Sequence, residues 1–206
     1  MRNKTNPIVL SLFLLLLGAA FSSAASYTFA NYFQKGWNLV SFPIDNVKYL
    51  GGCDIATIAI PGQSFSPFYS WNGKEHIPAG NLHDGNLRVK GGQGYWIYAP
   101  VGCTAQFSGY RLFTEYRNQP LSAGWNLIGA TNQPIPFKIV SSNCKYKDYH
   151  FFEFSKDGAF VTATTLEPGK GYSLYLDSKC TLNGPIRALN GIASNKMIPP
   201  SMPKAE

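Results

Sequence analysis

Gly94-Tyr95-Trp96-Ile97-Tyr98, running on to Cys103-Thr104, occurs a second time as Gly171-Tyr172-Ser173-Leu174-Tyr175, running on to Cys180-Thr181. In both copies the glycine precedes the cysteine by nine positions (103 − 94 and 180 − 171) and is the second of a Gly-x-Gly pair. A glycine turn that feeds an aromatic strand ending near a cysteine is a structural unit. Its recurrence predicts a duplicated fold. A second marker agrees: Gly36-Trp37-Asn38-Leu39-Val40 returns as Gly124-Trp125-Asn126-Leu127-Ile128. That offset is 88 (124 − 36), against 77 (171 − 94) for the glycine-tyrosine strand, so the first copy carries a net insertion of 11 residues.

Outward from these markers the two units read alike. In the first, Trp37 to Phe42 is a strand, and Asp45 or Asn46 caps a short helical turn through Leu50, closed by Gly51-Gly52. Ile55 to Ile60 reads as a strand. Phe68 to Trp71 is another, turned at Asn72-Gly73 and returning near Lys74 to Ile77. A loop precedes the Gly94 strand, and Thr104 to Phe107 closes the unit. The second unit runs through a strand Trp125–Ala130, a short helix near Phe137 to Val140 and an aromatic strand Tyr149–Phe154. Asp157-Gly158 turns into Phe160 to Thr164, and the Gly171 strand and Thr181-Leu182 follow. The expected fold is all-β: two tandem small β modules, each with one short helix. The expected segments are a signal peptide over 1–25, a first module over 26–109, a linker over 110–121, a second module over 122–184 and a flexible tail over 185–206.

Residues 1–25 have the three parts of a secretory signal. Arg2 and Lys4 are basic, Ile8 to Ala20 is an uncharged run of 13 residues, and Ser23-Ala24-Ala25 offers small residues for cleavage. The run is short for a membrane span, and no later stretch could cross a bilayer. Cleavage leaves 206 − 25 = 181 residues and lowers the formal charge from +7 to +5. The basic excess is mild and scattered, which suits a solvated surface or an acidic envelope partner. It forms no basic stripe for nucleic acid. The expected location is secreted, extracellular, periplasmic or at the cell surface.

All four cysteines lie in the exported part. An even count in an oxidising compartment predicts disulfides. Of the three pairings, Cys53–Cys103 with Cys144–Cys180 gives each repeat the same internal staple. Each closes a loop worth on the order of 3–4 kcal/mol in the chain-entropy model.

The layout resembles a repeat of exported bacterial and archaeal surface proteins, in which Gly-Trp-Asn-Leu is followed by a Pro-Gly-x-Gly-Tyr-Trp strand. The first copy matches at Gly36-Trp37-Asn38-Leu39 and Gly94-Tyr95-Trp96. The second matches at Gly124-Trp125-Asn126-Leu127 and Pro168-Gly169-Lys170-Gly171-Tyr172, and departs where Ser173 replaces the tryptophan. The resemblance implies small β-rich modules beside adhesive domains or enzymes. It implies no catalytic residues.

The residues themselves offer little chemistry. Gly62-Gln63-Ser64-Phe65-Ser66 misses the nucleophile-elbow pattern at its last position. His76, His83 and Asp84 share a polar, glycine-rich loop that could at most hold an adventitious or calcium-type ion, and no metal centre is expected. His150 adjoins Phe151-Phe152 and reads as a strand residue. Glu75, Glu115, Glu153 and Glu167 do not recur at equivalent positions, so no glycosidase pair stands out. Gly91-Gly92-Gln93-Gly94 leads into a strand where a phosphate loop would lead into a helix. No cofactor is expected.

The aromatics are the suggestive feature, because their faces stack on sugar rings. Trp37 and Trp125 are expected in the cores. Tyr69, Trp71, His76, Trp96 and Tyr98 are the candidate binding residues, with core packing the favoured alternative for Trp71 and Trp96 and the relative faces of the two strands left open to register. The expected function is a non-enzymatic binding or adhesion module taking a glycan, an envelope component or a protein partner. The alternatives are a structural subunit of an extracellular assembly and a small hydrolase.

Overall fold

The computed structural model describes residues 26–53, 68–80, 89–111, 119–136, 144–147, 151–182, 187–189, 199 and 201–202. Those residues are all-β, with no helix among them. In chain order the strands are β1 (Ser26–Phe33), β2 (Gly36–Ser41), β3 (Ile44–Gly51), β4 (Phe68–Trp71), β5 (His76–Gly80), β6 (Gly94–Ala99), β7 (Cys103–Arg111), β8 (Gln119–Leu121) and β9 (Gly124–Gly129). They continue as β10 (Ile135–Pro136), β11 (Lys145–Lys147), β12 (Phe151–Phe154), β13 (Phe160–Thr162), β14 (Thr165–Leu166), β15 (Gly171–Leu176), β16 (Cys180–Leu182) and β17 (Arg187–Leu189).

Two four-stranded sheets dominate, in the orders β2-β6-β4-β5 and β13-β12-β15-β9. Read from β9, the second has the same succession as the first. The registers also correspond: Gly36 faces Ala99 and Ser41 faces Gly94, while Gly124 faces Leu176 and Gly129 faces Gly171. Beside each lies a further pairing. β1 faces β7 with Phe33 opposite Cys103, and β8 faces β16 with Leu121 opposite Cys180. Both offsets of the sequence repeat therefore reappear in the strand pairings.

The repeated motifs have local physical causes. Gly36 and Gly124 sit at φ of 99° and 90°, where a Cβ is strained. The asparagine two residues on closes the same turn in each copy. Asn38 Nδ2 donates to the carbonyls of Gln34 (2.9 Å) and Gly36 (3.0 Å), and its Oδ1 accepts from the Gln34 amide (2.9 Å). Asn126 makes the same three bonds with Ser122 and Gly124. The tyrosines of the two Gly-Tyr strands hold the preceding turns. Tyr95 Oη accepts from the Lys90 amide at 2.7 Å, and Tyr172 Oη from the Glu167 amide at 2.8 Å. Burial pushes the Tyr95 hydroxyl up to about 12 and raises Tyr172 further still.

Three apolar clusters divide the interior. One lies under the first four-stranded sheet and the β1-β7-β3 sheet, with Phe33, Phe42, Ile44, Phe68, Tyr95 and Phe107 at its centre. A second holds Leu121, Ile128, Phe151, Tyr172, Leu174 and Leu182. The third joins the halves: Leu39 and Trp96 from the first meet Leu127 from the second, with Trp37, Tyr69, Trp71, Phe154 and Phe160 packed around them.

Both disulfides pair within their own half, Cys53 with Cys103 and Cys144 with Cys180, at Cα separations of 5.4 and 5.1 Å. Such bonds form and persist in oxidising compartments.

Several expectations change. The helical turn after Asp45 is instead strand β3. Ile44 and Val47 are both buried three residues apart, a helix-like spacing. The spacing arises from a bulge: the register against β7 slips between Asp45 and Lys48, and Asn46 takes a φ of 53°. Strand β1 is an element the sequence reading does not identify, although Tyr27, Phe29 and Phe33 alternate inward along it. Within the span expected as a flexible tail, β17 pairs in parallel with β11. The expected strand over 55–60, the helix over 137–140, the signal segment 1–25, most of the linker, Ser64, His83, Asp84, Glu115 and His150 lie outside the described residues.

Candidate functional site: a groove between the two halves

The halves meet through paired backbone contacts. Ser41 donates its amide to the Gly169 carbonyl at 3.0 Å, and Gly129 donates to Gly92 at 2.8 Å. Adding 88 to 41 gives 129, and subtracting 77 from 169 gives 92, so the two bonds are equivalents. Bridges Val40–Lys170 and Gln93–Ile128 obey the same exchange. The edge strands β2 and β9 are thereby each covered by the turn before the other half's glycine-tyrosine strand.

Register decides where the candidate aromatics point. Trp96 faces Leu39 on one side and Tyr69 on the other, Tyr98 faces Trp37, and Trp71 faces His76. Cross-strand partners share a face. All five candidates therefore lie on the same face of the first sheet, together with Trp37, and this face looks toward the second half. The Trp37 ring meets those of Tyr69, Trp96 and Tyr98 edge-on at 5.8, 6.4 and 5.3 Å.

Sharing a face does not make them a binding site. Trp96 is 1 % exposed, with Phe154 of the other half at 4.9 Å. A ring so enclosed presents no face to a ligand, so of the two readings of Trp96, core and stacking platform, the burial is that of a core residue. Trp71 crosses the seam, its Nε1 donating to the Trp125 carbonyl at 3.0 Å. His76 packs on Trp71 at 4.8 Å and donates from Nε2 to the Ser201 carbonyl at 3.0 Å.

Phe154 stands where the second half would have its Trp71. It carries no N–H, and its ring turns to Trp96. Beside it opens a groove of about 940 Å³ between the halves. Tyr32 and Trp37 supply aromatic surface, Asn31, Gln34 and Lys35 supply polar groups from the first half, and Glu153, Lys156, Asp157 and Lys170 face them from the second. Trp37 is thus half-buried at a groove and not sealed in a core. Tyr32 is 63 % exposed. Asn31 Nδ2 donates to the Gly169 carbonyl at 3.0 Å, so its amide ties the groove wall to the seam.

One ammonium organises the acidic side. Lys170 Nζ lies 2.8 Å from Glu167 Oε2 and 3.4 Å from Glu153 Oε2. The hydrogen bond to Glu167 and the charge of Glu153 raise the Lys170 pKa against a smaller desolvation effect. Lys35, Lys156 and Asp157 carry no ion pair among the described residues. Among the described residues no three His, Cys, Asp or Glu side chains converge as metal ligands would.

None of the five candidates lines the groove. The register places the five candidates on the face that borders the groove, but outside the groove itself. Tyr32 and Gln34 went unnoticed because β1 and its turn did not register as structure. The alternation Tyr27, Phe29, Asn31, Phe33 was the available signal. Comparison with known proteins finds no matching family model, curated protein or solved structure.

Proposed function

We propose that the chain is an exported, non-enzymatic binding protein made of two duplicated β modules, and that it holds a glycan of the cell envelope in the groove beside Trp37. The observation that carries the reading is the juxtaposition of Tyr32 and Trp37 with Gln34, Lys35, Lys156 and Asp157 around one open cleft. Saccharide recognition needs that mixture, apolar ring faces for C–H surfaces and polar groups for hydroxyls. Duplication is supported by equal strand succession, equal registers and the exchange-related seam bonds. Export is supported by the basic and apolar start of the chain together with two disulfides. The resemblance to repeat modules of exported surface proteins points the same way.

The test is a glycan array on the mature protein, followed by calorimetry on any hit with Tyr32→Ala. Tyr32 is largely exposed, so its removal leaves the fold intact, and the loss of one stacking ring weakens affinity by about tenfold. An array without hits, or a Tyr32→Ala protein that binds as the wild type does, overturns the assignment.

A second reading, a subunit of an extracellular assembly, is favoured by a different surface. β1 and β3 are the outer strands of the three-stranded sheet among the described residues, and Leu50 and Tyr110 are 55 and 49 % exposed. Open edges with apolar side chains are templates for further pairing. Light scattering separates the two: a glycan-binding module stays monomeric, and an assembly subunit grows with concentration.

A further inference from the structure

The end of the chain returns to the first half at a place the groove does not use. His76 lies at the start of the outer strand β5, and its Nε2–H donates to the Ser201 carbonyl at 3.0 Å, across 125 residues of sequence. A carbonyl only accepts, so the proton sits on Nε2 and Nδ1 is bare. Nδ1 is buried with no hydrogen-bond partner. The ring is therefore closed over on the side away from Ser201 as well. It packs at 4.8 Å on Trp71, whose indole N–H is itself committed to the Trp125 carbonyl across the seam. Two residues before Ser201, Pro199 is buried, while Ser201 and Met202 are exposed. The sequence here is Pro199-Pro200-Ser201-Met202-Pro203. Proline-rich sequence of this kind loses little entropy on docking and is the kind of peptide that aromatic surfaces accept.

We propose that the Trp71–His76 corner is a seat for a proline-containing peptide, and that the chain's own C-terminal segment, through Pro199 and Ser201, occupies it in cis. The corner needs an apolar ring wall and one imidazole N–H aimed at a backbone carbonyl. The segment supplies the Ser201 carbonyl, two residues after the buried Pro199. Seated, it lies at the β4-β5 end of the aromatic face, away from the groove beside Trp37 on β2. The seat does not depend on what the groove binds.

The experiment is backbone and side-chain NMR on the complete mature chain. With the segment seated, the Ser201 and Met202 amides have order parameters near ~0.85, as rigid backbone does, and Pro199→Gly drops them below ~0.6. The same variant lies outside the sheets, so it leaves the fold intact. It shifts the Trp71 indole and His76 ring resonances and leaves those of Trp37 in place. His76→Ala loosens Ser201 and Met202 in the same way. Mobile Ser201 and Met202 amides in the wild type overturn the proposal, and so does a Pro199→Gly protein whose Trp71 and His76 signals do not move.

Discussion

A Cβ placed on Gly94 would lie 2.8 Å from the carbonyl oxygen of Ile128, in the other half of the chain. The same holds in reverse, with a Cβ on Gly171 at 2.6 Å from the carbonyl of Val40. Neither glycine sits at positive φ. Their requirement is closeness of approach: each begins the central strand of one sheet and lies against the edge strand of the other half. The obstacle is backbone, which cannot rotate away. Gly94→Ala and Gly171→Ala are each expected to destabilise by about 1–3 kcal/mol, the range for overpacking. Gly73→Ala is the control for the loss of a glycine, because nothing lies within 4 Å of its Cβ, although its φ of 98° adds some strain of its own. Denaturant melts of the three variants decide it. Equal losses at all three would mean the seam tolerates the extra methyl.

The asparagine of each Gly-Trp-Asn-Leu motif gives a second test. Asn38 and Asn126 each make three hydrogen bonds that close the turn entering the second strand of their half. Alanine leaves a backbone amide and two carbonyls to water. The expected cost is about 1–2 kcal/mol, because these turns are part-buried and water replaces some of the bonds. Asn38→Asp keeps the acceptor for the Gln34 amide and loses both donors, so it should fall between wild type and alanine. Chemical melts of the four proteins check the order. An Asn126→Ala protein as stable as wild type would contradict the turn as drawn.

How far these features were legible differs from residue to residue. The staples and the paired sheets follow from motifs that repeat, because a duplicated sequence must satisfy the same backbone twice. The bulge in β3 was illegible: Ile44 and Val47 at a spacing of three look helical until the extra residue at Asn46 is known. Trp96 was readable as a core residue, but its cover was not, since Phe154 and Phe160 come from 58 and 64 positions further on (154 − 96 and 160 − 96). The groove depends on a difference between copies, Phe154 against Trp71, and on a seam between halves. A sequence read one module at a time contains neither.

Ser173 occupies the position of Trp96 in the second copy and is fully buried, with its hydroxyl lacking a hydrogen-bond partner. It sits opposite Leu127, itself part of the apolar cluster between the halves. An unsatisfied buried hydroxyl costs about 1–3 kcal/mol relative to one in water. Ser173→Ala removes the polar atom and leaves almost the same volume. It is expected to be neutral or to stabilise by up to ~1 kcal/mol, whereas Ser173→Trp forces a second indole into a filled seam and destabilises. Thermal melts of both variants test this. A clear loss of stability in Ser173→Ala would show that the hydroxyl has a partner, such as an ordered water.

His76 sets a pH dependence whose sign is fixed. Desolvation lowers its pKa below the ordinary 6.5, and the bond to the Ser201 carbonyl opposes that only in part. Protonation would also place an N–H on the buried Nδ1, which has no acceptor. Between the lowered folded value and 6.5 the unfolded chain binds more protons than the folded one. Stability from this group is therefore fully present above about pH 6.5 and falls as the pH drops through that window toward the folded value. His76→Gln cannot titrate, so the difference in Tm between wild type and variant isolates the group from His83 and His150. That difference is expected to shrink or reverse on going from pH 7.5 to pH 5, about one unit above and one and a half below the ordinary histidine value. A difference that grows on acidification would mean that an acidic partner faces the ring and that the seat at the end of the chain is built differently.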